Sequence, residues 1–196
     1  MAPRGACCLI TLMNPSPNLF LIGPTGAGKT TLGAWLAPRL GLALLDLDRI
    51  VAAQAGMPIS EIFSREGEVG FRVREAAALA EHCTHGGVLL VGGGGIVTRP
   101  ENRTRLAQNG YVLWLVASVE LRASRLEGDR SRPLLSGHDL RSRMQQLDDE
   151  RESLYAGCAD LALEQETEMP IEALGRRALS LLAERWQRSA LREIAP

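Results

Sequence analysis

The chain of 196 residues has no apolar run approaching the length of a membrane span, which argues against a membrane-spanning helix. It also lacks a charge excess of either sign: 22 basic and 23 acidic side chains leave a formal charge of −1. Acids and bases are interspersed, so there is no bulk electrostatic case for nucleic acid or an anionic membrane as partner. Cysteine is scarce. Cys7, Cys8, Cys83 and Cys158 have no zinc-ligand spacing, and two adjacent cysteines make a poor disulfide framework. Free thiols in a reducing cytoplasm are the plain reading. There is no internal repeat and no low-complexity segment. A chain of this length is expected to form one well-buried domain.

Scarcest of all is lysine. Every basic side chain is arginine except Lys29, and that lysine lies in Gly23-Pro24-Thr25-Gly26-Ala27-Gly28-Lys29-Thr30. The stretch matches G-x-x-x-x-G-K-[ST], the P-loop pattern. Glycines let successive backbone N–H groups turn inward and cradle phosphate oxygens. The lysine reaches the β- and γ-phosphates of a nucleotide, and the hydroxyl of Thr30 is a candidate ligand for Mg²⁺. The context fits: Leu19–Ile22 reads as a buried strand, and Thr30 to Leu40 reads as the start of a helix.

The first dozen residues faintly resemble a signal peptide, but the apolar stretch Ala6–Ile10 is too short and no cleavage site follows. We expect translation to begin at Met13, with residues 1–17 a disordered or mis-started tail. From Leu19 onward apolar runs and helical patterns alternate. The expected strands are Leu19–Ile22, Ala43–Leu45, Val88–Val91, Val112–Val116 and Asp160–Leu163. The expected helices are Lys29–Leu40, Glu68–His82, Glu101–Gln108, Val119–Leu126, Asp139–Leu154 and Ile171–Arg188. Strands alternating with helices predict an α/β fold with a parallel sheet covered on both faces. Two segments, 127–139 and the Gly92–Gly95 run, read as loop-like and mobile.

Several patterns bear on chemistry. Asp46-Leu47-Asp48 closes the second strand, and alternation puts both carboxylates on one face if the extended conformation continues there; the alternative is a pair of solvated loop acids with Asp48 starting a helix. Ligands of open parallel sheets bind beyond the carboxyl ends of the strands. One acid is thus placed to help hold Mg²⁺, directly or through water, and the other to orient or deprotonate an alcohol. Arg72 and Glu75 are three apart at a helix start, the spacing of a common surface ion pair. Gly92–Gly95 stands where many P-loop proteins end a strand in an acid, which suggests a small molecule pressed against bare backbone. Arg125 and the run Asp129–Leu135 form a basic loop able to bring positive charge to a migrating phosphoryl group and exclude water. Arg151, four residues before Tyr155, offers a clamp for a carboxylate.

In this order the patterns resemble the shikimate kinase family from about Asn18 to the last helix. The matching segments are Gly23–Thr30, Asp46–Asp48, Glu66–Glu75, Gly93–Thr98, Arg132–Leu135 and Arg151–Tyr155. The resemblance implies a three-layer sandwich around a five-stranded parallel sheet, the P-loop fold of nucleoside monophosphate kinases, with a moving lid. It implies a kinase domain over residues 18–188, its lid near 127–139, and a tail at 189–196. The implied reaction is transfer of the γ-phosphate of ATP to the 3-hydroxyl of shikimate, with Mg²⁺, in a cytoplasmic monomer. Roles are implied as well. Gly26, Ala27, Gly28, Lys29, Thr30 and Thr31 hold ATP, with Arg125 against the adenine, and Thr30 and Asp46 serve the metal. Asp48, Arg72, Glu75, Gly93, Gly94, Gly95 and Arg151 form the shikimate site. Lys29, Asp48 and Arg132 are the implied catalytic residues, with Asp48 the candidate base for the shikimate hydroxyl and Arg132 closing onto the transferring phosphate. Gly92 lengthens the usual glycine triplet by one. Gluconate kinases and nucleoside monophosphate kinases share the fold and the P-loop, but not the Phe-Arg-x-x-Glu, triple-Gly and Arg-Pro-Leu-Leu set together. A transcriptional sensor on this fold would need a DNA-binding module, and no basic helix follows the P-loop.

Overall fold

Leu19–Ile22 is an apolar run with no accessible side chain, as expected of a strand covered on both faces. In the computed structural model, which describes residues 16–127 and 139–186, this run is β1 at the centre of a sheet. The other strands are β2 (Ala43–Asp46), β3 (Val88–Val91), β4 (Tyr111–Ala117) and β5 (Leu161–Gln165). Their order is β2-β3-β1-β4-β5 and every pairing is parallel. Leu19 pairs with Leu89 on one side and Tyr111 on the other; β3 ends opposite Leu21, and β4 runs three residues past the partner of Ile22, to Ala117.

The helices are α1 (Lys29–Leu40), α2 (Leu47–Ala55), α3 (Ile59–His82), α4 (Pro100–Asn109), α5 (Val119–Leu126), α6 (Leu140–Ala156) and α7 (Ile171–Arg185). Alternation along β1 divides the core. Leu19 and Leu21 pack with Leu32 and Leu36 of α1 and Leu174 and Leu182 of α7. Phe20 and Ile22 face the other way, toward Leu47 and Val51 of α2, Phe71 and Leu79 of α3, and Leu106 of α4. The result is the predicted three-layer sandwich. Each fully buried Leu, Ile or Phe contributes about 1.5–3 kcal/mol relative to exposure, so the layers that aim the site are also the main source of stability.

Three expectations need correction. The extended conformation does not run on through Asp48. Asp46 is still extended, but its side chain accepts a hydrogen bond from the Arg49 backbone N–H at 3.3 Å and caps α2, which starts at Leu47. The expected helix at Glu68–His82 is present as the second part of α3, but a first helical stretch, from Ile59, precedes it. Glycines at 67 and 70 weaken the helical signal there, and Gly67 does break the helix with φ 68° and ψ −175°. The Gly92–Gly95 run is packed: Gly92, Gly93 and Gly95 are buried, and the Gly92 N–H donates to Leu21 O at 3.0 Å.

The Ser16 hydroxyl donates to Asn109 O at 2.9 Å, and the Ser16 carbonyl accepts from Trp186 Nε1 at 2.8 Å. Arg132, most of the 127–139 segment, residues 1–15 and the chain after Trp186 lie outside the described residues.

Candidate active site

The chain leaves β1 at Gly23 and enters α1 at Lys29, so the P-loop sits at the carboxyl end of the central strand. Gly28 is the helix N-cap with φ 94°, a conformation that costs any residue with a side chain about 1–2 kcal/mol. The turn leaves the first N–H groups of α1 without helical partners, an anion site by construction. Lys29 is largely buried, and its Nζ donates to Gly23 O at 2.8 Å and Pro24 O at 2.9 Å. The ammonium is thus folded back over the loop. Arg125, on α5, donates to Gly26 O and Ala27 O, both at 3.2 Å, and pairs in bidentate fashion with Glu168 at 2.8 and 3.0 Å.

Thr30 Oγ1 donates to Asp46 Oδ2 at 2.9 Å. A hydroxyl and a carboxylate side by side are hard oxygen donors suited to Mg²⁺, which takes few protein ligands and completes its shell with water and phosphate. No group of three or more acidic, His or Cys side chains able to hold a metal occurs among the described residues. Asp48, one residue into α2, reaches Gly93: a methyl group there would stand 2.9 Å from Asp48 Oδ1 and 2.7 Å from Glu75 Oε1. The two acids converge on one glycine although they come from different helices.

Arg72 is not a surface residue. It is 8% exposed, and its Nη1 donates to Glu75 Oε2 at 2.7 Å while Nη2 donates to Glu68 Oε1 at 3.0 Å. Glu75 has no exposed surface. Burial pushes its pKa up and outweighs the pull of Arg72 in the other direction, with the Asp48 charge adding to the rise. A methyl at Gly95 would overlap the Arg72 guanidinium, so the bare backbone at this position leaves the arginine its place.

Arg151, 7% exposed, donates to Gly94 O at 3.4 Å, and its Nη2 lies 3.9 Å from Glu68 Oε1. Tyr155 also donates to Gly94 O, and its ring stacks on Trp114 with centroids 5.8 Å apart. Burial pushes the Tyr155 phenol up to about 12. The unfolded chain ionises its tyrosines near pH ~10. Between about pH 10 and 12 the folded state therefore holds a proton that the unfolded state has lost, and stability falls as pH rises. We expect Tyr155→Phe to flatten this alkaline limb in thermal unfolding at stepped pH, leaving the part due to Tyr111, also pushed up to about 12 by burial. An unchanged slope would show that Tyr155 does not titrate there.

One cleft of about 640 Å³ runs across these elements. It is lined by Gly26, Gly28, Lys29, Thr30, Thr31, Asp46, Asp48, Arg72, Gly93, Gly94, Gly95, Arg125 and Arg151. Ala27 and Glu75, both fully buried, stand behind its wall. The cleft joins a phosphate cradle to a chamber with two arginines and an acid.

The sequence model of the shikimate kinase family matches residues 25–183. The chain belongs to the shikimate kinase family. Among relatives named shikimate kinase, that of Psychrobacter sp. (strain PRwf-1) is 45% identical over 76% of this chain and 82% of its own length. That of Stenotrophomonas maltophilia (strain K279a) is 41% identical over 91% of this chain and 99% of its own. The solved shikimate kinase from Acinetobacter baumannii in complex with shikimate superimposes with a TM-score of 0.83 at 38% identity, covering 86% of this chain and 94% of that one.

In this shikimate kinase family member, three contacts went unread in the sequence. Glu68, four residues before Arg72, is its second acidic partner, and the i,i+4 spacing was the available signal. Thr25 packs on the glycine run: a methyl at Gly94 would meet Thr25 Oγ1 at 2.6 Å. Arg122 is 1% exposed and reaches the P-loop. The last two are long-range contacts with no local pattern to announce them.

Proposed function

We infer that the protein transfers the γ-phosphate of ATP to the 3-hydroxyl of shikimate, giving shikimate 3-phosphate and ADP on the route to chorismate and the aromatic amino acids. Family membership carries the reaction. The observation that best supports the acceptor in this chain is the buried pair Arg72 and Arg151 facing a glycine-lined chamber beside a P-loop. Shikimate has one carboxylate and three hydroxyls. Two guanidiniums suit the carboxylate, and an acid suits the hydroxyls. Arg151 Nε and Glu75 Oε1 are buried without a hydrogen-bond partner among the described residues. Groups in that condition are uncommon in a finished core, and a ligand would complete the network.

Lys29 and the N–H groups of the loop hold the nucleotide phosphates, and Arg125 lies against the adenine. Thr30 and Asp46 hold Mg²⁺, which supplies charge neutralisation on the phosphate oxygens when bound. Asp48 accepts a hydrogen bond from the attacking hydroxyl and sets its direction. Glu75 keeps Arg72 in place from behind. Phosphoryl transfer needs little covalent help from a protein, so positioning and charge do the work. The same reading assigns Arg132 to the transferring phosphate and describes a cytoplasmic monomer acting on two small molecules. No helix among the described residues is long and apolar enough to cross a membrane.

The test is ADP release from Mg·ATP by purified protein with shikimate, gluconate, AMP or no acceptor. Strong stimulation by shikimate alone is expected. Stimulation by gluconate or AMP, or by none of them, overturns the assignment of acceptor.

A further inference from the structure

Arg122 is the bulkiest side chain that the described residues shut away from solvent, and the chemistry above gives it nothing to do. Burying a guanidinium is costly, and an apolar side chain of similar volume would fill the space at least as well. What sets the arginine apart is its fork of donors, each spent on a different element. Nε donates to Ala117 O, the last residue of β4, at 2.9 Å. Nη2 donates to Asp148 of α6. Nη1 donates to Thr25 O, inside the P-loop, at 3.4 Å.

The third contact has a geometric consequence. A trans peptide is planar, with its C=O and N–H on opposite sides. Holding the Thr25 carbonyl toward Arg122 turns the N–H of Gly26 the other way, and Gly26 lines the cleft. The backbone of α5 reinforces this, because a methyl at Gly26 would stand 3.1 Å from Arg122 Cβ and 3.3 Å from Arg122 O. On its far side Thr25 abuts Gly94, whose carbonyl is held by Tyr155 and Arg151. Asp148, Arg151 and Tyr155 are three and four apart and share a face of α6. Thr25 is therefore clamped between two sets of contacts that both lead back to one helix.

We infer that Arg122 is a positioning residue for the phosphate loop, fixing the Thr25–Gly26 peptide so that the Gly26 amide faces the nucleotide. The inference rests on the reading of Gly23–Thr30 as the cradle for phosphates. Arg122→Lys keeps a charge opposite Asp148 but has one nitrogen where three are needed. Arg122→Met removes charge and donors together. Isothermal titration with Mg·ADP, with thermal unfolding alongside, separates positioning from bulk stability. We expect the Kd of Mg·ADP to rise about 10-fold in Arg122→Lys, the loss of one well-aimed charge-assisted contact. The KM for shikimate changes less than about threefold, because Arg72 and Arg151 keep their places. If Arg122→Met does not fold, the lysine variant alone carries the test. Unchanged Mg·ADP affinity in a folded Arg122→Lys protein, with only the melting temperature lowered, overturns the positioning role and leaves the cradle standing. Failure of the unaltered protein to bind Mg·ADP overturns the cradle, and the inference with it.

Discussion

Replacing Lys29 with methionine lowers kcat/KM for Mg·ATP by about 10³-fold or more, the scale on which single preorganised charge contacts act in transfer reactions. Methionine keeps the length and apolar stem of the side chain, so the fold tolerates it. The substitution removes the hydrogen bonds from Nζ to Gly23 O and Pro24 O. Steady-state rates at varied Mg·ATP, with circular dichroism to confirm folding, measure the effect. No other lysine exists to take over the role. A variant with near-normal turnover would mean that the arginines around the cleft carry the phosphates, and the P-loop reading of this lysine would be wrong.

Arg72→Ala raises the KM for shikimate by about 100-fold, in the range for truncating one partner of a buried, hydrogen-bonded charge pair, and leaves the KM for ATP within a few-fold. The contrast between substrates is the informative part. Arg72 sits between Glu75 and Glu68 in the acceptor chamber, while Lys29 and Arg125 face the nucleotide loop. Removing the guanidinium also takes from Glu75 the influence that most lowers its pKa, so the pKa of that buried acid moves further up. Equal effects on both substrates would make Arg72 a structural residue.

These two residues also show how far the sequence could be read. Lys29 was legible because a P-loop is a local motif: eight consecutive residues, a strand before and a helix after. Arg72 and Glu75 were legible only through the family pattern. Their spacing alone describes an ordinary surface pair, and what makes them different is burial against the glycine run more than 15 residues on, which spacing does not encode. The strands at 19–22 and 88–91 stand where their apolar runs put them. Helix α2 was left open because Asp46-Leu47-Asp48 continues an apolar strand and carries a capping acid, and a capping residue reads equally well as the end of a strand or the start of a helix. Both acids nevertheless line the cleft. Asp46 and Asp48 reach the cleft from a strand end and a first helical turn, not from alternate positions of one strand. Arg122 was invisible, since its partners lie 5, 26 and 97 residues away.

The composition gives this site an unusual chemical address. Lys29 is the one side-chain amine in the molecule, and it is 8% exposed with its nitrogen turned onto the loop it serves. An acylating reagent that consumes amines thus has one target besides the chain terminus, and that target lies on the floor of the nucleotide cleft. The stoichiometry of labelling becomes a count of vacant phosphate loops, readable by mass without any engineered tag, and protection by a bound nucleotide can be followed at a single atom.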